Sequence, residues 1–252
     1  MASGDGFIYI IVGFFAGLFF FVKGLGWFKQ MRLISDMPTS KVRSIAMGLV
    51  EVYGKIVASE GRVLKSPFTA KDCVYYKYKI EEYRSNGKSS SWVTVRKGEM
   101  AELFYLKDET GMVLVDPKGA NVDIPSDNVI NSGIGNSPSQ TVLSFLGSQR
   151  LSHKSLFFNK RMRYTEYFLA PGDNCYILGT AGDNPFVEDA TVQEGMEDVM
   201  IRKGQGGIFY ITDKQEKDLL SSLKRKAMLG VIGGPLLSGA CLALIFISMG
   251  TI

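Results

Sequence analysis

FIYIIVGFFAGLFFFV, residues 7–22, contains no charged side chain, and after Lys23 the apolar run continues as GLGWF to Phe28. As an α-helix, these 22 residues would rise about 33 Å, enough to cross a hydrocarbon core of about 30 Å. The lysine can extend its ammonium group toward the membrane surface, and Trp27 lies where interfacial aromatic residues are common. We therefore predict a transmembrane helix over residues 7–28.

A second apolar run, AMLGVIGGPLLSGACLALIFISMGTI, covers residues 227–252, and Cys241 is its only ionisable side chain. It predicts a second transmembrane helix over residues 227–249, with a kink at the Gly-Gly-Pro of 233–235. Small side chains recur at four-residue spacing, at Gly230, Gly234 and Ser238. They would let another helix approach closely, either the first span or the same helix of a second copy in a homo-oligomer. Small residues are common in membrane helices in general, so the spacing alone does not identify the partner.

The residues before the first apolar run distinguish an anchor from a cleaved signal peptide. MASGDG contains an acid and no Lys or Arg, and no A-x-A site follows the run. A secretory signal would have a basic n-region and such a site. We expect an uncleaved anchor.

Basic residues flank both apolar runs on the side of the central segment, which predicts the orientation of the chain. By the positive-inside rule, the central segment lies in the cytoplasm and both termini lie outside. The same charges would attract anionic lipid headgroups, although orientation alone explains their positions. The expected membrane-interface residues are Lys23, Trp27, Lys29, Arg32, Lys224, Arg225 and Lys226.

Charge and cysteine content exclude several classes of protein. The net charge of +4 is nearly accounted for by the clusters beside the spans, so no basic field remains to indicate nucleic acid binding. The three cysteines are an odd number, and Cys241 lies in an apolar run. One bridge between Cys73 and Cys175 stays open, but there is no disulfide framework, which agrees with a reducing compartment.

The central segment reads as a series of strands. Residues 48–58 alternate apolar and polar side chains, with Gly54 as an expected bulge, and residues 73–84 alternate most clearly. A turn at 85–91 leads to a returning strand at 92–96, and Trp92 and Tyr76 are expected to face the core. The loop 108–111 should join a hairpin of 102–107 and 112–116, with Gly111 in the positive φ region. Later strands are predicted at 163–170, 175–181 and 207–212, with a turn at 171–174.

Helices are expected to be minor elements of this segment. Residues 41–47 read as a short helix, and another begins after Thr212 or Asp213 and continues into the second span. Residues 131–155 are rich in Gly, Ser and Asn and read as a surface insertion with at most one short helix at 141–146. We predict a membrane protein in which two transmembrane helices flank a mainly-β (α+β) soluble domain over 37–225. Its sheet would be a curled antiparallel sheet or a small barrel with minor helices.

Candidate sites for chemistry all have simpler structural interpretations. His153 lies in the polar insertion without an evident nucleophile, and Cys73 and Cys175 open strands as small packing residues. The glycine-rich 203–207 lacks P-loop spacing and precedes a strand, so a turn is favoured over a phosphate site. The acids Asp108, Asp116 and Asp123 suit hairpin turns better than a metal. We assign no catalytic residue, no cofactor and no metal.

Several stretches resemble one family, the GIDE or "beside a membrane" (BAM) domain of the mitochondrial outer-membrane ubiquitin ligases and their prokaryotic relatives. The stretches are PTSKVRSIAMGLVEVYGKIV (38–57), LKSPFTAKDCVYYKYKIEEYR (64–84), FYLKDETGMVLVDPKGA (104–120) and RYTEYFLAPGDNCYILGTA (163–181). The resemblance implies a domain between two transmembrane helices. It assigns structural roles to Ser66, Pro67, Phe68, Cys73, Tyr75, Tyr76, Asp108, Gly111, Asp116, Gly172, Asp173 and Gly179.

The chain departs from the eukaryotic ligases, which carry a RING finger after the second span. A RING takes eight Cys and His zinc ligands, whereas this sequence has three Cys, one His and no C-x-x-C. The resemblance therefore predicts a RING-less, prokaryotic-type relative in the plasma membrane. The expected function is a non-catalytic scaffold, interaction or regulatory module, with the lipid bilayer and another membrane protein as partners. The alternatives are a component of a ubiquitin-ligase-like system and an enzyme with an unrecognised site.

Overall fold

The computed structural model describes residues 4–35, 39–59, 61–85, 87–152, 160–186, 198–205, 207–213 and 216–248. Two compact units share the chain, a helical unit of Met1–Pro38 with Gln215–Ile252 and a β unit of Thr39–Lys214. The helices are α1 (Gly4–Ser35), α2 (Gln140–Ser148), α3 (Glu216–Met228) and α4 (Gly234–Ser248). The strands are β1 (Gly48–Ala58), β2 (Leu64–Lys65), β3 (Asp72–Cys73), β4 (Tyr75–Ser85), β5 (Ser90–Ala101), β6 (Phe104–Lys107), β7 (Met112–Val115), β8 (Asn121–Val122), β9 (Asn128–Ser132), β10 (Met162–Leu169), β11 (Asn174–Asp183), β12 (Val199–Arg202) and β13 (Tyr210–Thr212).

The helical unit contains two helices that are long and apolar enough to cross a membrane, over Ile8–Arg32 and Leu223–Ile247. Only 11% of the apolar stretch of the first and 22% of that of the second is buried, whereas a core helix of a soluble protein would be mostly buried. Large side chains such as Phe15 and Val22 are exposed on α1. The prediction of apolar helices at both ends of a mainly-β domain is confirmed.

The second apolar helix is interrupted where the sequence predicts a kink. A π-helical stretch, Leu229–Gly233, joins α3 to α4, so the chain passes without a loop from the amphipathic helix into the apolar one. Pro235 has no N–H to donate to the carbonyl of Val231, and π-helical widening is one way in which a helix absorbs such a loss. The predicted kink site thus coincides with a local change of helix type.

The small residues of the second span pack against α1 of the same chain. A methyl group on Gly24 would lie 2.6 Å from the carbonyl carbon of Gly230, and one on Gly17 would lie 2.7 Å from the carbonyl oxygen of Gly234. Such close backbone approach is possible only without side chains. The hydroxyl of Ser238 donates to the carbonyl oxygen of Phe14 at 3.0 Å. Of the two partners that the spacing leaves open, the first span is the one seen on this face.

Five strands of the β unit form a closed ring of pairings, in the order β1, β6, β7, β12, β11 and back to β1. Strand β1 makes the closure because residues 48–55 pair with β11 and residues 55–58 pair with β6. All ring pairings are antiparallel except β7 with β12. Strands β13 and β8 extend from β11. The expected small barrel is therefore present.

The interior of the ring is filled by apolar side chains from every one of its strands. On β1, Val50, Val52 and Ile56 are buried, as the alternation predicts. Burial of each such side chain stabilises the fold by about 1.5–3 kcal/mol. Glu51 is an exception, because the alternation places it outside and the structure buries it completely. Its Oε1 accepts a hydrogen bond from the Thr39 hydroxyl at 2.8 Å, as a buried carboxylate requires partners.

A second, four-stranded antiparallel sheet has the order β5, β4, β10, β9. Alternate residues of its central strands, including Tyr78, Ile80 and Tyr164, form a second core with Phe68 and with α2. Strand β4 serves both cores, since Tyr75 at its start belongs to the core of the ring. Strand β4 therefore links the two cores, and both sheets lie in one compact unit.

The prediction of a surface insertion at 131–155 is wrong for the part that the structure describes. Strand β9 pairs with β10, and α2 buries Val142 and Leu146 completely or almost completely in the second core. The helix begins at Ser139, whose hydroxyl accepts from the Val142 N–H, and it is longer than predicted. Polar turn residues around a nine-residue amphipathic helix concealed its apolar face. Residues 153–155 lie outside the described residues.

Other local predictions need smaller corrections. Pairing of β1 with β11 continues without a shift through Gly54, so this glycine is not a bulge; a side chain there would collide with the Lys107 carbonyl of β6. Gly111 does not have a positive φ. The helix predicted at 41–47 shrinks to one 3-10 turn, Val42–Ser44. Strand β12 was not predicted, and the strand expected at 207–212 is limited to β13.

Candidate functional site

The S-P-F motif forms a loop that a buried carboxylate holds against the four-stranded sheet. Glu166 on β10 is fully buried and accepts hydrogen bonds from the Phe68 N–H at 2.9 Å and the Thr69 hydroxyl at 2.5 Å. The Ser66 hydroxyl accepts from the Lys71 N–H at 3.1 Å, which closes the loop beside Pro67. The motif therefore places the Phe68 ring in the second core, edge-on to Tyr78, Phe145 and Tyr164.

The L-x-D-x-T-G motif is a side-chain-stabilised hairpin turn. Asp108 accepts hydrogen bonds from the N–H and hydroxyl of Thr110 and from the N–H of Gly111. It also accepts from the Val42 N–H at 2.9 Å, which fixes the 3-10 turn next to this hairpin. Partial burial alone would raise the pKa of Asp108, but these hydrogen bonds outweigh it and hold the pKa below its usual value. Because Asp108 supplies the turn, Gly111 does not need a positive φ.

The remaining motif residues also have structural roles. Gly172 has φ +94° in the turn between β10 and β11, where Asp173 accepts from the Ala170 N–H at 2.8 Å. A side chain on Gly179 would collide with Ile201 and Phe209. Asp116 accepts a hydrogen bond from the Lys118 N–H at 3.0 Å. The Tyr75 hydroxyl donates to Glu99 at 2.9 Å. Tyr76 is half-buried beside the second core. Nothing in these contacts brings the motif residues together into one site.

The expected membrane-interface residues do come together within the helical unit. Helix α1 runs antiparallel to α4, because Gly13 lies beside Cys241 and Gly24 beside Gly230. The segment of α1 after Gly24 therefore lies along α3, with which it is in contact. Lys29 and Arg32 are exposed at the same end of the pair as the exposed Lys224, Arg225 and Lys226, whereas Lys23 lies over the Phe19 ring and Trp27 is half-buried.

The candidate residues for chemistry remain separate. Cys73 and Cys175 are free and buried, and burial, with smaller contributions from Glu166 and Asp72, raises the pKa of Cys73 to about 12. Gly207 has φ +72° in the turn before β13, as a turn glycine would. The carboxylate of Asp123 accepts from the Tyr210 hydroxyl at 2.8 Å. Among the described residues no cluster of His, Cys, Asp and Glu could hold a metal ion, and His153 lies outside them.

A surface that sequence reasoning missed lies on the four-stranded sheet. Side chains alternate across a strand, so the residues between those of the second core project from the opposite side, which we call the open face. The pairing register brings together on this face Lys77, Lys79, Glu81 and Tyr83 of β4, Trp92, Lys97 and Glu99 of β5, and Arg163 and Tyr167 of β10, with Arg161 just before β10.

Trp92 belongs to the open face, so the prediction that it faces the core is wrong. Its ring lies 5.2 Å from the Tyr83 ring in an edge-on arrangement, and the Arg163 guanidinium lies 4.1 Å from its centroid. Arg161 lies 4.7 Å from the Tyr83 centroid. Both aromatic rings are half-buried and Arg161 is exposed. The result is an aromatic pair with two guanidinium groups stacked on it.

Beside this aromatic pair, lysines of the open face line a pocket of about 480 Å³. Lys79 and Lys97 are directly opposite each other on β4 and β5, and Lys77 follows on β4. Glu99 and Tyr167 complete the polar lining. The alternation of polar residues along each strand was visible in the sequence. The sequence does not reveal which polar residues share a face, because the register of β5 on β4 shifts at Ile80 and Glu81.

The fold and its surface define a membrane protein class in which a mainly-β domain, with a closed five-stranded ring, lies in sequence between two apolar helices. A family model described as GIDE, E3 ubiquitin ligase, matches residues 75–244, and the chain belongs to this family. The matched range begins after the S-P-F motif and includes most of the second apolar helix. Neither the curated proteins nor the solved structures give a match. The chain is thus an E3-ligase-like membrane protein by family.

Proposed function

We propose that this protein is a non-catalytic scaffold that holds another membrane protein at the cytoplasmic face of a prokaryotic plasma membrane. The observation that carries the proposal is the open face, with its half-buried Trp92 and Tyr83 and its stacked Arg161 and Arg163. Tryptophan, tyrosine and arginine are the residues that most often dominate the energetics of protein interfaces. The covalent connection to two apolar helices keeps such a surface at a membrane.

The chemistry of the described residues favours binding over catalysis. A thiol with a pKa near 12 is protonated at neutral pH, so Cys73 is a poor nucleophile. Glu166 and Asp108 accept hydrogen bonds that hold a loop and a turn. These carboxylates therefore support the architecture of the domain.

The test compares the membrane proteins that co-purify with the wild-type full chain and with two variants of it, all expressed in the native host. One carries Trp92→Ser with Arg163→Ser; a matched control carries Tyr53→Ser with Lys55→Ser, which removes an aromatic and a cation from an exposed side of β1. We expect at least one partner to be retained by the wild type and the control and lost from the open-face variant. Retention of every partner by a folded open-face variant would contradict the proposal.

The cytoplasmic orientation can be tested separately with a surface cysteine. The native Cys73 and Cys175 are buried and unsuitable as reporters. Lys88 is exposed in the turn between β4 and β5, so Lys88→Cys gives a reagent direct access. We expect a membrane-impermeant maleimide to label this variant only after the cells are lysed. Labelling in intact cells would place the β unit outside and refute the positive-inside argument.

A second candidate function is a subunit of a ubiquitin-ligase-like assembly, which the family match favours. These 252 residues contain three Cys and one His, fewer than the eight ligands of a RING. A RING would therefore have to lie outside these 252 residues. Co-purification of a RING protein or of a ubiquitin-like modifier that depends on the open face would support this function. If neither co-purifies, the scaffold proposal is still tested by the comparison of the open-face variant with its control.

A further inference from the structure

The lining of the pocket on the open face carries more positive than negative side chains. Three lysines, Lys77, Lys79 and Lys97, line it together with one carboxylate, Glu99. Lys79 and Lys97 are paired directly across the two strands. Like charges in this position destabilise a sheet, and a bound anion would reduce their repulsion.

The charges that already neutralise part of the pocket leave Lys97 unmatched. Lys79 lies 3.0 Å from Glu81, which also faces Arg163 at 4.0 Å. Lys77 donates to the Val122 carbonyl oxygen at 3.1 Å and lies 4.7 Å from the Tyr167 centroid. Within the described part of the chain, no carboxylate lies at ion-pair distance from Lys97, whose side chain is exposed.

The one acid in the lining is not turned wholly toward the lysines. Oε2 of Glu99 accepts a hydrogen bond from the Tyr75 hydroxyl at 2.9 Å. Burial, with that hydrogen bond and the charge of Glu99, raises the pKa of Tyr75, so this hydroxyl remains a donor at neutral pH. Glu99 thus has a partner outside the lysine group, and the lining keeps an excess of positive charge.

We propose that this pocket binds a phosphate-type oxyanion, carried by a soluble phosphate ester or by a lipid headgroup. A phosphate group offers up to two negative charges and several acceptor oxygens, which suits ammonium donors carried on two neighbouring strands. The pocket of about 480 Å³ is larger than a bare phosphate and falls in the range of about 300–1,000 Å³ for small-molecule sites. The Tyr167 ring beside it would contact the organic part of the ligand. This inference does not rest on the proposed scaffold function.

The first arm of the test titrates inorganic pyrophosphate into the full chain, held in nanodiscs of neutral phosphatidylcholine, by calorimetry at low salt. We expect saturable binding that Lys97→Met weakens at least about tenfold, the size expected for loss of a charged hydrogen-bond partner. Lys88→Met is the matched control, because it removes an exposed lysine of the same hairpin outside the pocket, and it should leave the affinity unchanged. Lys97 is exposed, so its replacement should not unfold the domain, which thermal unfolding checks.

The second arm distinguishes the two sources of phosphate. The titration is repeated in nanodiscs that contain a phosphatidylinositol phosphate. Loss of pyrophosphate binding there, with recovery in the neutral lipid, indicates that a headgroup occupies the site, whereas unchanged binding indicates a soluble ester; either supports the inference. Three results would overturn the inference: equal weakening of binding by Lys88→Met, absence of saturable pyrophosphate binding in the first arm, or tighter binding of hexaglutamate than of pyrophosphate in the same titration.

Discussion

The closed ring and the four-stranded sheet of the β unit are built from similar strands but differ in what they leave exposed. In the ring, each of the five strands has partners on both sides, so no long edge is free. In the four-stranded sheet, β5 is an edge strand of twelve residues without a buried residue among them, and the open face beside it is polar and aromatic. Closure removes the exposed groups through which a sheet can bind other molecules. The ring therefore suits support, and the sheet suits binding.

The largest expected effect comes from Phe68→Ala, which attacks the sheet from its packed side. The ring of Phe68 is 2% exposed and contacts three aromatic rings. Truncation of a buried phenylalanine typically costs about 3–5 kcal/mol. Chemical denaturation of the full chain in detergent should show this loss in the free energy of unfolding of the β unit. A loss below about 1 kcal/mol would mean that the second core is not a structural core.

Leu106→Ala makes the corresponding cavity in the ring and should cost about 2–5 kcal/mol. Leu106 is fully buried on β6. Because β4 contributes Tyr75 to the ring core and Tyr78 to the second core, both variants should destabilise one shared unfolding transition. Fluorescence and far-ultraviolet circular dichroism measured together would test this. Two separate transitions would show that ring and sheet unfold independently.

An intermediate effect is expected for Asp108→Ala at the β6–β7 turn. Loss of its hydrogen bonds to Thr110, Gly111 and Val42 should cost about 1–2 kcal/mol at pH 7. The pKa of Asp108 is lowered in the folded state, so its contribution exists above the unfolded pKa of about 3.9 and is lost as pH falls through the folded pKa. The difference between wild type and variant should therefore shrink below about pH 4 in denaturation measured across pH. A difference that is constant down to pH 2 would contradict this role.

The smallest effect is expected for Trp92→Ser on the open face. The side chain contacts Tyr83 and Arg163 at a half-buried surface, and such aromatic and cation–π contacts contribute about 1 kcal/mol. If Trp92 lay in the core, as the strand pattern alone predicts, the same change would unfold the domain. Differential scanning fluorimetry distinguishes a core position from an open-face position by comparing the melting temperature of Trp92→Ser with that of Phe68→Ala. A Trp92→Ser variant as unstable as Phe68→Ala would return this residue to the core.

Sequence reasoning succeeded where a local pattern determines the structure. The strand Gly48–Ala58 was predicted to the residue, because alternation over eleven residues is an unambiguous signal. The turn at Gly172 followed from turn chemistry, and the hairpin of β6 and β7 was predicted correctly although the positive φ expected at Gly111 is absent. The apolar helices at both ends followed from length and hydrophobicity alone.

Long-range register was beyond the same reasoning. Trp92 was assigned to the wrong face, because the core side of the sheet is set by α2 and Phe68, which lie far away in sequence. The pairing of Lys79 with Lys97 depends on a shift in register within one hairpin. Glu51 was placed outside although the structure buries it, with its Oε1 accepting a hydrogen bond from Thr39. The candidate surface therefore became visible only once the strands were paired.

The ring is closed by pairing of β1 with β11, and this determines the order in which the protein can fold during synthesis. Strand β1, Gly48–Ala58, must wait for β11, Asn174–Asp183, so the nascent chain carries an unfinished ring while more than a hundred residues are translated. The N-terminal apolar helix emerges before any of these strands. The ring is therefore expected to assemble on a chain that is already attached to the bilayer, which restricts the diffusion of aggregation-prone intermediates.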